Sequence, residues 1–115
     1  MTQSRKHRGY RTQRVWANFL NNHGFPFAEP TGAGRPGSDV TGTIGIDWEI
    51  KARKDFDPLA TMRQMRDRAV DDDFRIGVLR CNGQGEAKVG EWVCLIEGEQ
   101  LMQLLRLAGL GSGEK

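Results

Sequence analysis

Residues 46–51 read Ile-Asp-Trp-Glu-Ile-Lys, with apolar and charged residues in strict alternation. A strand sends successive side chains to opposite faces, so residues i and i+2 share a face about 7 Å apart. Ile46, Trp48 and Ile50 therefore lie on one face, and Asp47, Glu49 and Lys51 on the other. The fold has to cover the first face with a core. The second face then carries two acids and a base in a fixed relation.

The remaining pattern supplies the cover. The 115 residues suffice for one domain, and hydrophobic and charged fractions of 37% and 28% suit a globular chain. Val15, Trp16, Phe19 and Leu20 make one apolar stripe on a helix expected from about Tyr10 to Asn22, with Gly24 as its stop. Residues 25–29, Phe-Pro-Phe-Ala-Glu, are expected to form an edge strand. Residues 30–39 hold four Gly or Ser and two Pro, which predicts a loop. Residues 38–42 and 44–51 are expected to pair as a hairpin turning near Gly42–Gly45. A helix is expected over 57–70, capped by Asp57, with Pro58 at its first position and Leu59, Met62, Met65 (or Arg66) and Ala69 inward.

Phe74, Ile76 and Val78 alternate in a further strand. Residues 92–96, Trp-Val-Cys-Leu-Ile, suit a sheet interior. The last helix, 99–110, offers Leu101, Leu104, Leu105 and Ala108 to the core. Met102, Leu107 and Leu110 add apolar surface beyond that need, which suggests self-association as a homodimer. Trp16, Trp48 and Trp92 each fall in an apolar stripe and are expected in the core. The expected order is α-β-β-β-α-β-β-α, an α/β domain over residues 10–110 around one mixed five-stranded sheet. Residues 1–9 read as a basic, flexible arm and 111–115 as a tail.

Charge is uneven. Residues 1–35 hold Arg5, Lys6, Arg8, Arg11, Arg14 and Arg35 against Glu29, a local +5; the remainder holds eleven bases and fourteen acids, a local −3. That asymmetry points to a polyanion such as DNA, with Lys54 as a further phosphate contact. No apolar run approaches the ~20 residues of a membrane span. Cys81 and Cys94 match no zinc spacing, and a reduced, intracellular (cytoplasmic) chain is expected. Asp71-Asp72-Asp73 follows a helix end, where the dipole disfavours anions, and reads as a solvated turn.

The chemistry concentrates around Glu49. Nine residues separate it from Asp39, and a hairpin of that length can set the two carboxylates side by side. Paired carboxylates on strands are hard oxygen ligands suited to Mg²⁺ or Mn²⁺, and the Ile50 carbonyl could complete the sphere. Lys51 then serves as a point charge that orients the attacking water or stabilises the transition state. An ordinary ion pair between Glu49 and Lys51 is the bland alternative.

The order of Gly37-Ser38-Asp39-Val40 and then Trp48-Glu49-Ile50-Lys51-Ala52-Arg53-Lys54 resembles the motif of the PD-(D/E)xK nuclease superfamily, with Asp39, Glu49 and Lys51 in its three positions. The closing strand and helix are similar to those of archaeal-type Holliday junction resolvases and small phage nucleases. The resemblance spans residues 9–108. Ser38 stands where the family name has proline. The resemblance implies a restriction-endonuclease-like core, a metal-dependent endonuclease, and a site-facing glutamine at Gln64 on the second helix. It also implies that Gln13 occupies about the place where resolvases carry a first-helix glutamate. DNA, branched or otherwise structured, is the implied partner, as in recombination and repair. A phage-type flap, nicking or single-strand nuclease and an inactive DNA-binding subunit are the alternatives.

Overall fold

The computed structural model describes residues 2–32, 37–52, 56–69, 72–81 and 83–111, with side chains in the first helix described from Gly9 onward. Arg35 and Lys54, and the side chains of Arg5, Lys6 and Arg8, lie outside the described residues. The elements run α1 (Thr2–Asn21), β1 (Glu29–Pro30), β2 (Val40–Thr41), β3 (Ile46–Lys51), α2 (Pro58–Arg68), β4 (Phe74–Leu79), a 3-10 helix (Glu86–Glu91), β5 (Val93–Ile96) and α3 (Gly98–Leu107). The expected order holds, with the 3-10 helix added. α1 starts at Thr2 rather than near Tyr10.

The strands form two sheets instead of one sheet of five. β1 and β2 make an antiparallel ribbon of two residues each. A second sheet has the order β3-β4-β5, with β3 parallel to β4 and β5 antiparallel to it. Two parallel neighbours cannot be joined by a tight turn, and α2 forms the crossover between β3 and β4. The expected hairpin ladder between β2 and β3 is reduced to one backbone bond flanked by two side-chain bonds. Trp48 donates its backbone N–H to Ser38 Oγ at 2.9 Å, Asp39 donates its N–H to the Trp48 carbonyl at 2.9 Å, and Ile50 donates to Asp39 Oδ2 at 2.7 Å.

The alternation of β3 sorts its neighbours. Trp48, Ile50 and Val78 are buried with Trp16, Ala17 and Leu20 of α1 and with Trp92. The Trp16 ring lies 5.6 Å from that of Trp48, edge to face, and 6.2 Å from that of Trp92, stacked. All three tryptophans are core residues, as expected. α2 takes the other face: a Cβ at Gly77, the residue beside Glu49, would stand 3.6 Å from Met62 Sδ. Met62 and Met65 are buried there with Thr61, whereas Leu59 is exposed. Asp57 caps α2 by accepting the Ala60 N–H at 3.0 Å.

Other expectations are corrected. Residues 25–28 are no strand, because the Asn21 side-chain amide donates to the carbonyls of Phe25 and Ala28 at 3.0 and 3.1 Å and curls the chain against the end of α1. β5 is an edge strand with Val93 and Cys94 exposed, not a sheet interior. α3 does not lay its leucines on the core. Its one buried residue is Gln100, whose amide accepts the Arg75 N–H at 2.8 Å and donates to the Asp73 carbonyl at 2.9 Å. Those bonds hold α3 at the start of β4 and leave Met102, Leu104, Leu107 and Leu110 exposed. Among the described residues no helix is long and apolar enough to cross a membrane.

Gly42, just after β2, has φ +82°, and a Cβ there would stand 1.9 Å from the Phe27 carbonyl oxygen. The backbone just after β2 comes this close to the segment just before β1 only because this residue lacks a side chain. Gly42→Ala is expected to destabilise the fold by roughly 2–4 kcal/mol, measured by urea unfolding, through both strain and clash. A loss below about 0.5 kcal/mol, the range of ordinary surface substitutions, would show that this approach is not tight.

Candidate active site

Asp39 enters the site through its backbone and its carboxylate together. Its N–H binds Trp48 and its Oδ2 accepts from Ile50, so it lies alongside Glu49 with both ends tied to β3. Ser38 completes the clasp: its hydroxyl accepts the Trp48 N–H and donates to the Val40 carbonyl at 2.7 Å. A strand residue sends its N–H and C=O to the same edge. The Ile50 carbonyl therefore points to the edge where Asp39 sits.

Glu49 is buried, and both its oxygens are engaged. Lys51 Nζ lies 3.0 Å from Oε2, and Arg68 donates through Nη1 to Oε1 at 2.6 Å. Arg68, the last residue of α2, also donates to Asp47 through Nε at 3.1 Å and Nη2 at 2.7 Å, and to the Trp48 carbonyl at 3.0 Å. Asp47, Glu49 and Lys51 thus share one face, as the alternation requires, and α2 answers with a second cation.

Burial pushes the Asp39 carboxyl up to about 6, and the Glu49 charge adds to the shift; the Ile50 N–H, Arg68 and Lys51 oppose it. Two carboxylates in one half-buried site repel each other, and added positive charge would relieve both.

The other expected residues are distributed differently. Gln64 is exposed on α2, one turn before Arg68. It lines an open groove of about 510 Å³ with Ala60, Arg63, Asp67 and Arg68. α2 reaches Glu49 through Arg68, not through Gln64. Gln13 is buried on α1, and its Oε1 has no hydrogen-bond partner among the described residues. α1 packs on the Trp48 face of β3, whereas Glu49 projects from the other face. Arg11 and Arg14 are exposed and line a groove of about 490 Å³ with Asn18, Asn22 and Glu86. Asp72 is exposed, in keeping with a solvated turn.

Sequence reading missed Arg68. The signal was a charge imbalance: the inward face of β3 carries Asp47 and Glu49 against Lys51 alone. Arg68 follows the fully buried Met65 by three positions, which puts it within reach of that face.

Among the described residues no group of three or more His, Cys, Asp or Glu side chains forms a cation site. The candidate donors are two carboxylates and a strand-edge carbonyl. Mg²⁺ is commonly held by one or two carboxylates, with water and substrate phosphate filling the rest. The donor set at Asp39, Glu49 and Ile50 fits such an ion. In comparisons with family models, curated proteins and solved structures, nothing matches this chain.

The Asp39 shift has a stability consequence. The folded carboxyl titrates above its unfolded value, so its contribution to stability is fully present below about pH 4 and is lost as pH rises through about 6. Asp39→Asn removes the buried charge and can still accept from Ile50. It is expected to stabilise the metal-free protein by on the order of 1–2 kcal/mol at pH 8 and by little at pH 4. Denaturant unfolding at the two pH values checks this; an equal effect at both rejects the burial account.

Proposed function

We propose that the chain is a small Mg²⁺- or Mn²⁺-dependent endonuclease that hydrolyses DNA phosphodiester bonds, with preference for branched DNA. One observation carries this reading: Asp39 is tied to the Ile50 N–H beside Glu49, with Lys51 Nζ 3.0 Å from the Glu49 carboxylate. An ordinary surface ion pair would not require a second, half-buried carboxylate whose ionisation is costly.

Asp39, Glu49 and the Ile50 carbonyl would hold the ion, which when bound supplies Lewis-acid polarisation of the phosphodiester and a more acidic water. Lys51, itself half-buried, would present its ammonium to the negative charge that develops on the phosphate oxygens. Ser38 positions the loop that carries Asp39. Gln64, in the groove beside Arg68, would contact substrate backbone. Gln13 serves the core more than the site, since it lies on the face of α1 that packs on Trp48.

Arg11 and Arg14, with Arg5, Lys6, Arg8, Arg35 and Lys54, would contact phosphates. Such contacts set register and affinity but read no sequence, which fits a choice made by DNA shape. A domain this size covers little DNA. A homodimer would match a two-fold branched substrate, and the exposed Met102, Leu104, Leu107 and Leu110 supply an apolar surface for it. An intracellular site of action fits the two free thiols, Cys81 and Cys94.

The test is cleavage of labelled four-way junction, flap, linear duplex and single strand with Mg²⁺. Glu49→Ala and Lys51→Ala are each expected to lower the rate about 100-fold or more while binding persists. Cleavage of no substrate, or undiminished cleavage by both variants, sinks the nuclease reading. Binding of DNA without cleavage by the unaltered protein leaves a DNA-binding subunit. Equal cleavage of all four substrates removes the preference for branches.

A further inference from the structure

The two oxygens of Glu49 are both occupied by cations of the chain itself, Lys51 on Oε2 and Arg68 on Oε1. A carboxylate so engaged can ligate a metal only by exchanging a partner. Arg68 is the partner better able to let go. Of its four hydrogen bonds among the described residues one goes to Glu49; the other three go to Asp47 Oδ1, Asp47 Oδ2 and the Trp48 carbonyl. Asp47 and Trp48 would therefore keep the guanidinium in place after Nη1 leaves Glu49. Nothing comparable holds Lys51, whose one ion pair among the described residues is with Glu49.

Arg68 also stands at the boundary between the buried carboxylates and the open groove lined by Ala60, Arg63, Gln64 and Asp67. Its second Nη1 hydrogen has no partner among the described residues, and a guanidinium N–H in such a place is matched to a phosphate oxygen. Its side chain is 20% exposed, so solvent and ligand can reach it.

We infer that Arg68, anchored by Asp47, is a resident counter-cation of the site: it neutralises Glu49 while no metal is bound and exchanges Glu49 for substrate phosphate when a divalent ion takes the carboxylate. No covalent bond changes in this exchange. One hydrogen-bonded ion pair, Arg68–Glu49, gives way to two contacts, Glu49 with the ion and Arg68 with phosphate. Arg68 is thus a positioning residue for Glu49, and Asp47 holds Arg68. The inference rests on the nuclease reading for the identity of the ion and the anion.

The test uses Mn²⁺ alone, without DNA, and the full chain. Titration calorimetry of the unaltered protein and Arg68→Gln is expected to show Mn²⁺ binding about tenfold tighter in the variant, because a competing charge has gone. The metal-free variant is expected to melt lower, since Asp47 and Glu49 lose their partner, and Mn²⁺ is expected to raise its Tm by more than it raises that of the unaltered protein. A purely structural ion pair would lower the metal-free Tm and leave the Mn²⁺ affinity where it was. Equal or weaker Mn²⁺ binding in Arg68→Gln, with the unaltered protein binding normally, overturns the inference and leaves the nuclease reading standing. Absence of Mn²⁺ binding to both proteins at millimolar ion overturns both. Should Arg68→Gln fail to fold, Arg68→Lys, which cannot bridge Asp47 and Glu49 with a fork, is expected to bind Mn²⁺ about threefold tighter; an unchanged affinity there also overturns the inference.

Discussion

Ile50 donates its backbone N–H to the Asp39 carboxylate at 2.7 Å, and the candidate site follows from that bond. In an ordinary ladder the acceptor would be a carbonyl of the neighbouring strand. Here a side chain takes the role, as Ser38 Oγ does for Trp48 one step earlier. The edge of β3 is closed by a loop, through two polar side chains and one backbone bond, instead of by a fourth strand of its sheet. The same substitution splits the sheet in two and brings a carboxylate beside Glu49. Architecture and site geometry are thus one event.

The bond also fixes the electrostatics. Holding Asp39 against β3 buries it, and burial raises its pKa. With Glu49 adjacent and Asp47 on the same face, the region collects three acids. Lys51 and Arg68 offset them from two directions, one along the strand and one from α2. Three acids against two bases leave an excess of negative charge where burial makes it expensive.

Much of the framework was legible because it depends on short-range periodicity. The α1 stripe, the Asp57 cap, the alternation of β3 and the strand at 74–79 are all set by residues within a few positions of one another. The pairing of Asp39 with Glu49 was legible from the length of the connection. Three features were not. The Asn21 amide gathers carbonyls up to seven residues on, so the aromatic run at 25–28 curls instead of extending. Gln100 reaches back to residues 73 and 75, so α3 docks by a polar tie and Leu104 and Leu107 stay exposed. Arg68 lies nineteen or more positions from the acids it binds, and no local pattern announces such a partner.

The sequence by itself determined that β3 has a core face and a charged face, because alternation with period two allows nothing else. It determined that Glu49 and Lys51 project together, and that Asp39 lies within a loop's reach. Only the tertiary structure decided which groups complete that face. It set Asp39 into the ladder through its side chain, chose Arg68 over Gln64 as the residue of α2 that meets Glu49, and placed α1, with Gln13, behind the tryptophans. Those choices depend on how helices pack across a sheet, and packing joins residues that the chain keeps far apart.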